Sequence, residues 1–135
     1  MTADGLITLQ SSHGPKETMI RLAAAVEAKG MTVFAHIDHA AGAAAAGLSL
    51  RPTNLLIFGN AKAGTPLMQA VQTMGIDLPL KALVWQDGAG TTWLSYNDPH
   101  WLAQRHGVGH ENEATLHAMT AALNALAKAA TMSAE

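Results

Sequence analysis

Residues 50–75 read LRPTNLLIFGNAKAGTPLMQAVQTMG, and how this stretch is read decides the fold. Residues 53–58 are apolar on both sides of an extended chain (Leu55, Leu56, Ile57, Phe58). That pattern marks a central strand, covered on one face and partly on the other. Residues 59–64 follow as a glycine-containing turn. Thr65-Pro66 is then a helix start, a cap residue followed by proline where its missing N–H costs nothing. Leu67, Met68, Val71 and Met74 line one face of that helix and Gly75 closes it. A strand feeding a helix N-terminus through small residues is either a ligand cradle or simply a fold nucleus.

The same logic extends in both directions. Upstream, residues 6–9 alternate weakly and read as a first strand on a sheet edge. Pro15 opens a helix whose Met19, Leu22, Ala23 and Val26 share one face, and Gly30 offers a left-handed cap just after Lys29. Residues 31–37 alternate around Val33, Ala35 and Ile37 as a second strand. Asp38 ends it and caps a short alanine-rich helix over residues 39–46. Downstream of Pro79, residues 80–85 and 92–96 form two strands around an Asp87-Gly88 turn. Asp98-Pro99 repeats the cap-then-proline device for a helix ending near Gly107. Leu116, Met119, Leu123 and Leu126 then define a long last helix. The order β-α-β-(α)-β-α-β-β-α-α closes on a hairpin. It predicts an α+β fold with one mixed or antiparallel sheet of four to five strands packed against helices.

Composition sets outer bounds. A chain of 135 residues with 49% hydrophobic content suits one domain spanning residues 1–135, and its 4% of aromatics leaves alanine to fill the helix contacts. The formal charge of −2 gives no basic footprint for nucleic acid. With zero cysteines there are no disulfides or thiolate metal sites. The N-terminal MTADGLITLQ has neither a basic nor an apolar signal region, and no apolar run nears the roughly 18 residues of a membrane span. The expectation is a soluble, cytoplasmic protein without membrane or nucleic-acid partners.

Four stretches together resemble a known family: TVFAHIDHA at 32–40, GLSLRPTNLLIFGNAKAGTPLM at 47–68, IDLPLKALVW at 76–85 and SYNDP at 95–99. They resemble, in the same order and over nearly the whole chain, the bacterial and archaeal family catalogued as domain of unknown function 302. The resemblance implies a small α+β domain, one sheet backed by helices, commonly a stand-alone dimer. It implies no established activity and carries over no catalytic residue. Where the family motif often has proline, this chain has Ala61, which predicts a less rigid loop there.

Chemistry has two places to sit. His36, Asp38 and His39 are the densest ionisable cluster, suited to acid–base work or, with imidazole and carboxylate, to a metal, although the spacing matches no standard zinc motif. The plainer alternative is that Asp38 caps a helix while the histidines satisfy hydrogen bonds. The second place is Asn60, Lys62, Gly64 and Thr65, where helix N–H groups and a lysine would hold an anion, with Arg51 and Lys81 as further cations. The loop is not a G-x-x-x-x-G-K-[ST] phosphate loop, and a capped strand-to-helix connection is its plainer reading. His100, His106, His110 and His117 are scattered over the C-terminal third, where solvated or hydrogen-bonded histidines are the plainer reading and metal or haem ligation the lesser one. Trp85, Trp93, Tyr96 and Trp101 cluster in sequence and would wall an apolar pocket or a dimer interface, the interface being the more economical reading. Three functions follow: a dimeric module binding a small anionic or apolar ligand, a small enzyme using His36, Asp38 or His39, or a haem- or metal-binding protein with a histidine ligand.

Overall fold

In the computed structural model, which describes residues 3–133, the apolar run at 53–58 becomes an internal strand, and the predicted element order holds throughout. The elements are β1 (Leu6–Gln10), α1 (Pro15–Ala28), β2 (Thr32–Asp38), α2 (His39–Ala45), β3 (Thr53–Gly59) and α3 (Ala61–Ala70), then β4 (Leu80–Gln86), β5 (Thr92–Asn97), α4 (Pro99–His106) and α5 (Glu113–Thr131). Short 3-10 turns lie at Gln72–Ile76 and His110–Asn112. The sheet is ordered β1-β5-β4-β3-β2, and every neighbouring pair is antiparallel. β1 is an edge, as its weak pattern predicts. β2 is the other edge and carries a bulge between Val33 and Ala35.

Strand alternation gives the sheet two unlike faces. Leu56 and Phe58 of β3, Ala82 and Val84 of β4, and Leu94 and Tyr96 of β5 point to one side. There they meet Leu22 and Val26 of α1 and Leu116, Leu123 and Leu126 of α5 in one buried core. α1 and α5 pack on each other and α4 on α5, so these three helices form a layer over that face. The other face carries Leu55, Leu83, Trp85 and Trp93 in half-buried positions, in register across β3, β4 and β5.

The caps explain where helices begin and end. Gly30 follows α1 with φ +74 and Gly107 follows α4 with φ +76, both left-handed conformations that glycine adopts without a Cβ clash. Asp98 Oδ1 accepts from His100 N at 3.1 Å, directly ahead of Pro99 at the first position of α4.

Two local expectations change. The β4–β5 connection is wider than a two-residue Asp-Gly turn: Asp87 Oδ1 accepts from the N–H groups of Ala89 and Thr91, and Gly90, at φ +85, turns the chain. The expected aromatic cluster also divides. Trp85 and Trp93 are cross-strand partners stacked 6.1 Å apart on the outer face, whereas Tyr96 lies in the core. Trp101 on α4 lies over Gly5, where a Cβ would fall 2.4 Å from its ring. Strand alternation sends residues 93 and 96 to opposite faces, and a helix carries Trp101 away from both.

Candidate functional site

Where β3 ends, Asn60 stays extended (φ −141, ψ 120) while its Oδ1 accepts from Lys62 N at 2.9 Å, an N-cap. α3 therefore opens at Ala61. This corrects the expected start at Thr65-Pro66, which lies inside the helix instead. Asparagine at the strand end is at least as good a cap as threonine, so the helix takes the earlier signal. Pro66 has no N–H for the Lys62 carbonyl, but Lys62 is exposed and water can serve that oxygen. Ala61, read from sequence as a less rigid loop position, is the first helical residue. At its far end α3 stops at Ala70, because Val71 turns extended (φ −142, ψ 105); Met74 and Gly75 belong to the 3-10 turn, not to α3.

The earlier start changes the electrostatics of the expected cradle. Lys62 N is held by the Asn60 side chain, and Ala63 N and Gly64 N bond to the Asn60 carbonyl at 3.0 and 3.1 Å. These N–H groups are used by the helix itself. Positive charge at this point comes from the Lys62 side chain instead.

Beside this turn lies a groove of about 820 Å³, within the range of roughly 300–1,000 Å³ usual for small-molecule sites. Asn60, Lys62, Gly64 and Thr65 all line it, so four of the six ligand-binding candidates are brought together. Opposite them stands α5 with Ala114, Ala118 and Ala122, spaced by four along one helix face. These small side chains keep the groove open where leucine would close it. Met68, Leu78 and Met119 line its apolar walls, and Phe34 of β2 borders it while 55% exposed. Lys29 joins Lys62 at the rim, and no Asp or Glu lines the groove among the described residues.

The other candidates lie elsewhere. Arg51 sits beside the β4–β5 turn, within 3.8 Å of a Cβ built on Gly88. Lys81 projects from the outer sheet face, where its Nζ donates to the Pro79 carbonyl at 3.2 Å and it borders a smaller hollow of about 320 Å³ with Leu83 and Trp85. His36, Asp38 and His39 sit exposed at the end of the edge strand. Asp38 Oδ1 accepts from Ala41 N at 2.9 Å and so caps α2, and His36 Nε2 lies 3.2 Å from Asn54 Oδ1. None of the three borders the groove. Among the described residues no group of three or more His, Asp or Glu converges as a metal site would require.

One polar cluster escapes a sequence reading. His106, at the end of α4, has Nε2 2.5 Å from Asp77 Oδ2 and Nδ1 2.9 Å from Thr73 Oγ1. Arg105 Nη1 donates to both Asp77 oxygens, at 3.1 and 2.9 Å. The histidine side chain is 8% exposed. The cluster pins the 3-10 turn to α4, and its partners are separated by about thirty residues, so local patterning holds no sign of it. At the other end of α4, His100 Nε2 lies 2.7 Å from Glu113 Oε1 and ties that helix to α5.

Among the described residues two titrations are displaced. Asp87 is held below its ordinary value of 3.8, first by the Trp93 indole N–H at 2.9 Å and then by the Thr91 N–H, with Arg51 assisting at longer range. Burial raises the Tyr96 phenol above 10.0, and the Asp98 charge adds to it.

Comparison with known proteins agrees with this architecture. The family described as "Domain of unknown function DUF302" matches residues 7–126. A crystal structure of an uncharacterized conserved DUF302 protein from Bacillus stearothermophilus superposes with a TM-score of 0.83, at 22% identity, covering 95% of this chain and 99% of that one. At that identity the likeness concerns the fold. Two curated relatives, both named fluoride-specific ion channel FluC 1, come from Brucella suis biovar 1 (strain 1330) and Brucella abortus biovar 1 (strain 9-941). Each is 49% identical to this chain over 124 residues, 92% of its length. The match takes up 49% and 46% of those relatives, so the chain spans about half the length of the curated relatives it matches. Among the described residues no helix is long and apolar enough to cross a membrane.

Proposed function

The chain belongs to the DUF302 family, and within it we propose a small-ligand-binding module, acting as a homodimer, whose site is the groove between α3 and α5. The observation that carries this reading is the convergence of Asn60, Lys62, Gly64 and Thr65 on an 820 Å³ groove kept open by the α5 alanines. The groove is largely apolar with a few polar groups, the general character of small-molecule sites. Ala118→Trp places an indole in that space at an exposed position. Ligand-induced thermal stabilisation, measured across a panel of small apolar and anionic compounds, is expected for the parent chain and lost in the variant. Equal responses in both would sink the reading.

The self-association part draws support from the outer sheet face, where half-buried Leu55, Leu83 and Trp85 lie beside exposed Leu6 around a hollow of about 320 Å³ lined by strand residues. Sedimentation equilibrium is expected to give a dimer that Leu83→Glu converts to a monomer. A parent chain that sediments as a monomer ends that part alone.

A second reading follows from the relatives' printed name: a domain that regulates a fluoride channel. Its support is the match of nearly this whole chain to about half of each such protein. Fluoride efflux from vesicles carrying the channel half of such a relative is then expected to change on addition of this chain. Unchanged efflux excludes it.

A further inference from the structure

We infer that the occupant of the α3–α5 groove is a single-chain anionic amphiphile of the fatty-acid type, with its head at Lys29 and Lys62 and its tail along the apolar walls. The inference rests on the groove reading and names its ligand class. Three observations carry it.

The first is charge. The chain is acidic overall at −2, yet this groove holds two lysines and no carboxylate among its lining residues. Neither Lys29 nor Lys62 forms an ion pair among the described residues, where the pairs involve arginine and histidine instead. Both ammonium groups are therefore free to meet an anion at the rim.

The second is the nature of the walls. Met31, Phe34, Met68, Leu78 and Met119 present thioether, phenyl and branched aliphatic surface. Unbranched methionine side chains adapt to a flexible alkyl chain better than rigid ones do. Phe34 is 55% exposed, a large apolar surface left in water that a tail lying against it would cover.

The third is what the groove lacks. A small hydrophilic anion needs convergent donors. The N–H groups of Lys62, Ala63 and Gly64 are already bonded to Asn60, and the Asn60 side-chain oxygen is occupied by Lys62 N. A phosphate or halide would gain at most the two exposed lysines with the side-chain N–H of Asn60 and O–H of Thr65, and lose much hydration, whereas an amphiphile gains the same charge and buries its tail.

The test is calorimetric titration of the full chain with dodecanoate and with dodecanol, each below its aggregation limit. Dodecanoate is expected to bind at one per chain. Replacing both lysines (Lys29→Met with Lys62→Met) is expected to weaken dodecanoate by about five- to tenfold, the worth of two exposed charge contacts, and to leave dodecanol unchanged. Ala118→Trp, and Ala122→Leu as a second obstruction, remove binding of both. All these positions are exposed or half-buried, and an unchanged unfolding midpoint checks that each variant is folded.

Equal binding of dodecanol and dodecanoate, indifferent to the lysines but blocked by Ala118→Trp, overturns the anionic head and leaves the groove as a site. Binding of neither, while another compound stabilises the parent and not Ala118→Trp, overturns the amphiphile alone. Binding of neither, with no compound sensitive to Ala118→Trp, removes the groove reading as well. Sedimentation with phosphatidylglycerol vesicles without uptake of dodecanoate overturns the inference in favour of a membrane surface.

Discussion

Two helices of this molecule begin by the same device and end in different circumstances. α2 and α3 each follow a strand directly, and each is capped by an Asx side chain, Asp38 Oδ1 accepting from Ala41 N and Asn60 Oδ1 from Lys62 N, both at 2.9 Å. α2 buries no residue, and the ionisable cluster around it stands in solvent. α3 buries Gly64 and Leu67 and forms one wall of the 820 Å³ groove. A cap starts a helix but does not make a groove. The groove arises where the capped turn faces another element, here the alanine face of α5, across a space that neither fills.

The sharpest challenge to this contrast is removal of the α3 anchor. Leu67 is fully buried, so Leu67→Ala is expected to cost about 2–5 kcal/mol of global stability. Ala44→Gly in α2 is expected to cost no more than about 1 kcal/mol. Denaturant midpoints for the two variants decide it, and similar values would mean that α2 is as much a part of the cooperative unit as α3.

Next comes the clamp that holds the 3-10 turn after α3 against α4. Asp77→Ala leaves Arg105 and the nearly buried His106 without their shared carboxylate, for an expected loss of about 1–3 kcal/mol. Hydrogen exchange is expected to quicken over residues 72–77 and 99–106 while α2 is unaffected. Faster exchange confined to other segments would show that the clamp does not secure this junction.

The caps themselves give a smaller effect. Asn60→Ala is expected to lower global stability by about 1 kcal/mol, because fraying α3 releases buried contacts. Asp38→Ala removes a bond of the same length, yet its effect on the global midpoint should stay below about 0.5 kcal/mol, with faster exchange in α2 alone. Equal midpoint shifts would break the comparison.

The mildest expectation concerns acid. Asp87 is held below 3.8 in the folded chain, first by the Trp93 indole. A depressed folded value means that the unfolded chain binds the proton first as pH falls. The contribution of Asp87 is thus complete above the ordinary carboxylate value and lost as pH drops through the lower folded one. Trp93 fluorescence is expected to change in a transition centred below pH 3.8, and Asp87→Asn to remove it. Groove ligand binding above that pH is expected to be the same in both proteins.

Much of this was legible from residues alone. The strand at 53–58 reads as internal because Leu55 and Ile57 are apolar as well as Leu56 and Phe58, and it lies between β4 and β2. Asp38 and Asp98 read as caps and are caps. The membership in DUF302, legible in four motifs, covers residues 7–126. The start of α3 is ambiguous in the sequence because two start signals lie five residues apart, Asn60 and Thr65, and the helix takes the earlier one, with Asn60 at the strand end as its cap.

Local patterning therefore determined which segments are helix and strand, their order, and the residues beside the groove, because caps, proline and alternation act through neighbours no more than about four residues away. Tertiary structure alone decided that the sheet is wholly antiparallel, that Lys29 and Ala118 face Lys62 across one groove, and that Asp77 meets His106. Those residues lie dozens of positions apart, and what brings them together is the packing of α1 and α5 on one face of the sheet, a global minimum that no short window of sequence contains.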